Sequence, residues 1–114
     1  MFSGIGPAQL SALSVVVFVG PITLGDLAAA EQVKPPTMSR IAAALVRAKL
    51  VQRAPDEKDA RIIRLQATDK GHRLLQEARN RRISDLKRRV ERLRPKDLTL
   101  LAEAAELMER LSRE

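Results

Sequence analysis

The sequence has 114 residues, 45% of them apolar and only 2% aromatic, and carries a net charge of +7. That length leaves no room for two independent cores, and the core must be assembled from Leu, Val, Ile and Ala rather than rings. With no cysteine and a lone histidine, His72, the sequence excludes disulfides, thiolate metal sites and thiol redox chemistry, and it points to no metal and no cofactor. The positive balance points to an anionic partner, nucleic acid or an anionic membrane surface, the plainer reading being a merely basic soluble protein.

In chain order, residues 1–6 form a tail without periodicity. Pro7 suits the first turn of a helix reaching to about Val19, because its missing N–H would have no intrahelical partner there. Leu10, Leu13, Ser14 and Val17 mark the inner face of that helix. Val15, Val16 and Phe18 make it apolar almost all round, which predicts burial on more than one side. The run Leu10–Val19 is too short for a membrane span of roughly 20 residues, and residues 1–6 lack the basic start of a signal peptide. A cytoplasmic protein without membrane association is expected.

Gly20-Pro21 breaks the chain, and Ile22 is expected to be briefly extended. Thr23 is a good N-cap for the next helix, with Asp26 standing where a capping box carries Glu. That helix, to about Glu31, buries Leu24, Leu27 and Ala28. A tight turn through Gln32-Val33 leads to Lys34–Lys49, KPPTMSRIAAALVRAK, which reads as one helix with two faces. Met38, Ile41, Ala42, Leu45 and Ala48 form a core stripe. Pro36, Ser39, Arg40, Ala43, Ala44 and Arg47 lie opposite, with Thr37 at the edge. That second face is small and flat, with two arginines, and it suits close approach to a groove; the plainer reading of this stretch alone is an ordinary amphipathic helix in a bundle. Two short helices joined by a turn of this length make a helix-turn-helix, the second helix being the reader.

After Lys49 the period changes. Leu50–Arg53 and Arg61–Gln66 are β-rich and roughly alternating, and Ala54–Ala60 between them is polar turn material, so a hairpin with a charged tip is predicted. A hairpin directly after a helix-turn-helix is a wing. Thr68 then caps a long helix, Asp69 to about Leu93, with Leu75, Ala78, Ile83, Leu86, Val90 and Leu93 as its apolar positions. Pro95 starts a last helix striped by Leu98, Leu101, Ala104, Ala105, Met108 and Leu111. A helix of about 25 residues is about 37 Å long, more than this core can cover, so its far end calls for a second copy of the chain. The basic set Arg79 to Arg94 is spread around the helix rather than along one stripe. It fits a solvated dimerisation helix better than a nucleic-acid contact.

These motifs resemble the MarR (multiple antibiotic resistance regulator) family of bacterial winged helix-turn-helix repressors. Gly20-Pro21 precedes the first reader-unit helix, which holds Asp26-Leu27-Ala28. Thr37, Ser39 and Arg40 match the Thr-x-Ser-Arg of the recognition helix. Arg53, Asp56, Asp59 and Arg61 match the wing signature, and Thr68 with Gly71 matches its exit into the long helix. The likeness runs from Pro7 to about Leu111. Lys34 departs from the usual Ser cap, Lys49 from a Gly at the end of the recognition helix, and Ala67 from a Leu before Thr68. The family's further N-terminal helix, which helps build the dimer, would end just before this chain begins.

The resemblance implies a mainly α fold with a small β-hairpin wing (α+β), a winged helix-turn-helix with C-terminal dimerisation helices. The expected division is residues 1–6 as tail, 7–67 as DNA-binding domain and 68–114 as dimerisation helices. It implies a sequence-specific transcriptional regulator, a repressor, acting as a homodimer on a pseudo-palindromic site in double-stranded DNA. Family members often release DNA on binding small phenolic or lipophilic molecules, which suggests an effector of unidentified chemistry here.

The residues expected at DNA are Lys34, Pro36, Thr37, Ser39, Arg40, Arg47, Lys58, Asp59 and Arg61. The resemblance sends Arg40 to a guanine in the major groove; the plainer reading is a surface arginine paired with a carboxylate. Thr37 and Ser39 could donate to bases or phosphates, and Lys34, Arg47 and Lys58 to phosphates. Pro35 and Pro36 remove two orphan N–H donors at the helix start whatever the function. Arg61 is sent to the minor groove with Asp59 orienting it; the plainer reading is a hairpin salt bridge. Asp56 reads as turn chemistry. No catalytic set is present: there is no glycine-rich phosphate loop, and His72 beside Gly71 reads as an exposed residue. The competing function is a winged-helix module for protein contact or non-specific DNA binding.

Overall fold

A computed structural model of the chain describes residues 5–114, so residues 1–4 of the expected tail lie outside the described residues. The elements run α1 (Pro7–Val19), β1 (Ile22–Thr23), α2 (Leu24–Glu31), α3 (Pro35–Arg47), β2 (Val51–Pro55), β3 (Ile63–Ala67), α4 (Asp69–Glu91) and α5 (Pro95–Ser112). The chain forms two compact units, Met1–Arg79 and Asn80–Glu114, and α4 passes from one to the other.

The first unit holds the core. Leu13, Val16, Leu27, Met38, Leu45 and Val51 are sealed from solvent, and Ile22, Leu50, Leu65 and Leu75 join them. The core is thus aliphatic, as the composition requires. Leu45 belongs to α3, and truncating such a residue to Ala costs about 2–5 kcal/mol, so the inward stripe is what fixes the helix to the unit. Ile41 and Ala48, expected in that stripe, are half-buried at its edges.

Two expectations for α1 are corrected. Its inner face centres on Ala12, Leu13 and Val16. Leu13 lies there as expected, whereas Leu10 and Val17 pack half-buried against the core and Ser14 is half-buried, so the centre is turned towards Ala12 and Val16. Phe18 is not buried either: it is 65% exposed, with the Arg79 guanidinium 5.6 Å from its ring centroid. A helix apolar on nearly every side has no polar stripe to fix its rotation, and packing against α2 and α3 decides instead.

Thr23 caps α2 by accepting from the Asp26 amide at 3.1 Å, but no reciprocal bond from the Asp26 side chain completes a capping box. The tight turn after α2 is made by Gln32 in the left-handed region, φ 56°. Ile22–Thr23 is more than a brief extended segment: it pairs antiparallel with β3, giving a three-stranded sheet in the order β1-β3-β2. The hairpin strands also shift from expectation. Ala54 and Pro55 belong to β2 and pair with Arg64 and Ile63, while Arg61 and Ile62 belong to the loop. Proline is tolerated there because β2 is an edge strand.

In the second unit, α4 ends at Glu91, two residues before the expected Leu93. α5 is an amphipathic helix none of whose residues is buried. Ile83, Leu86, Leu100, Leu101, Leu107, Met108 and Leu111 are all exposed.

Candidate nucleic-acid interface

α3 begins without a side-chain cap. Lys34 is its N-cap residue and makes no capping bond, whereas Pro35 and Pro36 occupy the first two helical positions and bring no N–H to be satisfied. The Met38 amide closes the first turn on the Lys34 carbonyl at 3.1 Å. Burial of Met38, Ala42 and Leu45 then turns the opposite face outward. Lys34, Pro36, Ser39, Arg40 and Arg47 are exposed, and Thr37, Ala43 and Ala44 are half-buried between them. The result is a low surface from which Arg40 and Arg47 are the long donors. Neither they, Lys34 nor Lys58 takes part in an ion pair among the described residues. The plainer reading of Arg40, a surface arginine held by a carboxylate, is therefore not realised.

The wing is organised by two carboxylates. Asp56 accepts the Lys58 and Asp59 amides on Oδ2 at 3.0 and 3.1 Å, and the Arg64 Nε on Oδ1 at 2.5 Å. It is turn chemistry, as expected, and also anchors β3. The Arg64 hydrogen bond, followed by the two amides, holds the Asp56 carboxyl below its ordinary value of 3.8. Arg64 was not singled out from the sequence. The signal was its cross-strand neighbour: Arg64 faces Ala54, so Asp56 lies diagonally across the sheet.

Asp59 is the second organiser. Its Oδ1 accepts the Arg61 amide at 3.1 Å and Nε at 3.0 Å, and its Oδ2 accepts Nη2 at 3.0 Å. The pair is bidentate, the strong geometry for arginine and carboxylate. Each partner favours the other's charged form, lowering the Asp59 pKa and raising that of Arg61. The Arg61 side chain nevertheless remains 90% exposed. Two of its five N–H donors are engaged and the others face solvent.

The structure thus brings Asp59 and Arg61 together and sets Lys58 beside them at the tip. Among the described residues no hydrogen bond or ion pair joins them to Lys34, Pro36, Thr37, Ser39, Arg40 or Arg47, so α3 and the wing offer two separate donor surfaces. Among the described residues no cluster of three or more His, Asp or Glu could hold a metal ion, and no helix is long and apolar enough to cross a membrane.

Known proteins resemble this chain in sequence and in fold. The MarR family profile matches residues 3–62. An HTH-type transcriptional regulator of Mycobacterium bovis is 36% identical over 106 residues, covering 93% of this chain and 74% of the relative. The crystal structure of RV1404 from Mycobacterium tuberculosis superposes with a TM-score of 0.82 at 26% identity, covering 96% of this chain and 75% of that one. A variant of MepR from S. aureus, solved bound to an oligodeoxyribonucleotide, gives a TM-score of 0.74 at 25% identity, covering 96% of this chain and 79% of that one. With its reader helix, wing and sequence likeness in agreement, the chain belongs to the MarR family of winged helix-turn-helix transcriptional regulators.

Proposed function

We propose that the protein binds double-stranded DNA sequence-specifically as a homodimer and represses transcription from a pseudo-palindromic operator in the cytoplasm. The observation that carries this reading is Arg61, fixed in direction by Asp59 yet almost wholly exposed at the wing tip. A stiffened, outward guanidinium suits a narrow A·T-rich minor groove, where negative potential is focused. On α3, Arg40 reads a base edge in the major groove, Thr37 and Ser39 donate beside it, and Pro36 keeps the approach low. Lys34, Arg47 and Lys58 contact phosphates, which position the protein without reading sequence.

In this reading residues 7–67 are the DNA-binding domain and residues 68–114 the dimerisation helices. Support for a second copy comes from the exposed apolar residues of α5 and the far half of α4. A contiguous apolar face on a helix without buried residues needs a partner. The MepR variant bound to an oligodeoxyribonucleotide shows that a related fold engages DNA. The test is binding of a selected duplex against random duplex at fixed salt: a preference of roughly 10³ or more is expected of a regulator. Equal affinity for both would favour non-specific binding instead.

A further inference from the structure

The exit from α3, residues Ala48 to Leu50, is hydrogen-bonded on both sides. Its three amides donate back into α3: Ala48 to Ala44, Lys49 to Val46 and Leu50 to Leu45, at 2.9–3.0 Å. Its three carbonyls accept from the start of α4. Lys70 Nζ donates to the Ala48 carbonyl at 3.0 Å, setting a cation at the negative end of α3. Thr68 Oγ1 lies 2.6 Å from the Lys49 carbonyl and 3.1 Å from that of Leu50, so its one proton serves both. The Thr68 amide donates to Leu50 as well, at 3.0 Å. Thr68 Oγ1 in turn accepts the Gly71 amide at 3.1 Å, capping α4 with the same atom that grips the exit.

Two further features show how tight this junction is. Lys49 sits in the left-handed region, φ 63°, which a residue with a side chain adopts at a cost of about 1–2 kcal/mol. Such a conformation persists where its surroundings over-determine it, and here the bonds on either side do so. A Cβ on Gly71 would lie 2.1 Å from the Leu50 carbonyl oxygen, so α4 approaches the exit as closely as a backbone can.

We infer that Thr68 and Lys70 are positioning residues for DNA recognition: they set the angle between α3 and α4, and so the direction in which the reader face points. The effect on recognition rests on the DNA-binding reading above; the effect on the helix angle does not. Neither residue is among those placed at DNA.

The test uses Thr68→Val, which keeps the shape and loses both the donor and the acceptor, Lys70→Met, and Thr68→Ser as the conservative rescue. Residual dipolar couplings of free protein read the orientation of α3 against the first turns of α4. Fluorescence anisotropy reads affinity for a duplex selected by the unaltered protein. The valine and methionine variants should change the couplings of α3 and weaken binding by roughly fivefold or more, while the serine variant restores both. Unchanged couplings in both variants would overturn the inference, whatever the affinities. Should Thr68→Val fail to fold, Lys70→Met, which removes one exposed donor, decides it. If the unaltered protein prefers no duplex, the DNA reading falls and the couplings still decide the clamp.

Discussion

Asp59 grips Arg61 through two parallel hydrogen bonds of 3.0 Å and leaves the arginine side chain 90% exposed. An exposed ion pair of this kind contributes only about 0–1 kcal/mol to stability, so folding alone is a weak reason for it. What the pair does supply is direction. A free arginine carries about 2 kcal/mol of rotamer entropy, part of which must be lost on docking. Asp59 removes much of that loss beforehand.

Asp59→Asn separates this account from simple charge attraction. The substitution removes a negative charge from the surface proposed to meet phosphates, so Coulomb attraction alone predicts tighter binding. Loss of the guanidinium's fixed direction predicts weaker binding, by roughly two- to tenfold. Fluorescence anisotropy on a selected duplex checks it, and tighter binding would contradict the role given to Asp59.

Arg40 and Lys58 should fail in different ways. Arg40→Ala is expected to cost about 1–3 kcal/mol on the selected site and to relax the preference at one base pair. Lys58→Ala should weaken selected and random duplexes alike and lower the slope of log K against log salt by about 1. Titration at three salt concentrations tells the two patterns apart.

At the exit of α3, glycine should be opposite in effect at two positions. Lys49→Gly releases a left-handed residue and should raise stability by about 1 kcal/mol. Gly71→Ala forces a Cβ onto the Leu50 carbonyl and should destabilise by about 1–3 kcal/mol. Urea denaturation with unchanged m-values measures both.

Much of this was legible in the sequence because it depends on local spacing. The two faces of α3 follow from helical period, and the contact between Asp59 and Arg61 follows from two residues lying close on one hairpin. Other features depend on partners remote in sequence. Ala12 gives too little hydrophobic contrast to announce itself as core, so spacing alone finds Leu13 but not the turn of α1 towards Ala12 and Val16. β1 is too short to be a strand except by pairing with β3. The bonds from Thr68 and Lys70 to the α3 exit span about twenty residues, and no periodicity encodes them.

The wing should be acid-sensitive in a stated direction. Asp56 and Asp59 both have folded pKa values below the ordinary 3.8. A group depressed on folding contributes stability that is fully present above its unfolded pKa and is lost as pH falls through the folded one. The wing should therefore keep its geometry down to about the ordinary carboxylate value and loosen below it. The amide resonances of Lys58, Asp59 and Arg61, which donate to these carboxylates, report the change. Loosening near neutral pH would contradict the assignment.

Dimerisation should fail when the apolar face of α5 is charged. Met108→Glu alters a residue that is exposed in the single chain, so the fold of the first unit should survive. Light scattering is expected to show a dimer for the unaltered protein and a monomer for the variant, with DNA affinity falling as the second reader is lost.

The most direct test of the central claim is selection of bound sites from random duplex DNA. The account predicts enrichment of two inverted half-sites whose centres lie about 34 Å apart, one helical turn, as a two-fold pair of α3 readers requires. Recovery of sequences with no shared half-site, bound no more tightly than random duplex, would contradict it.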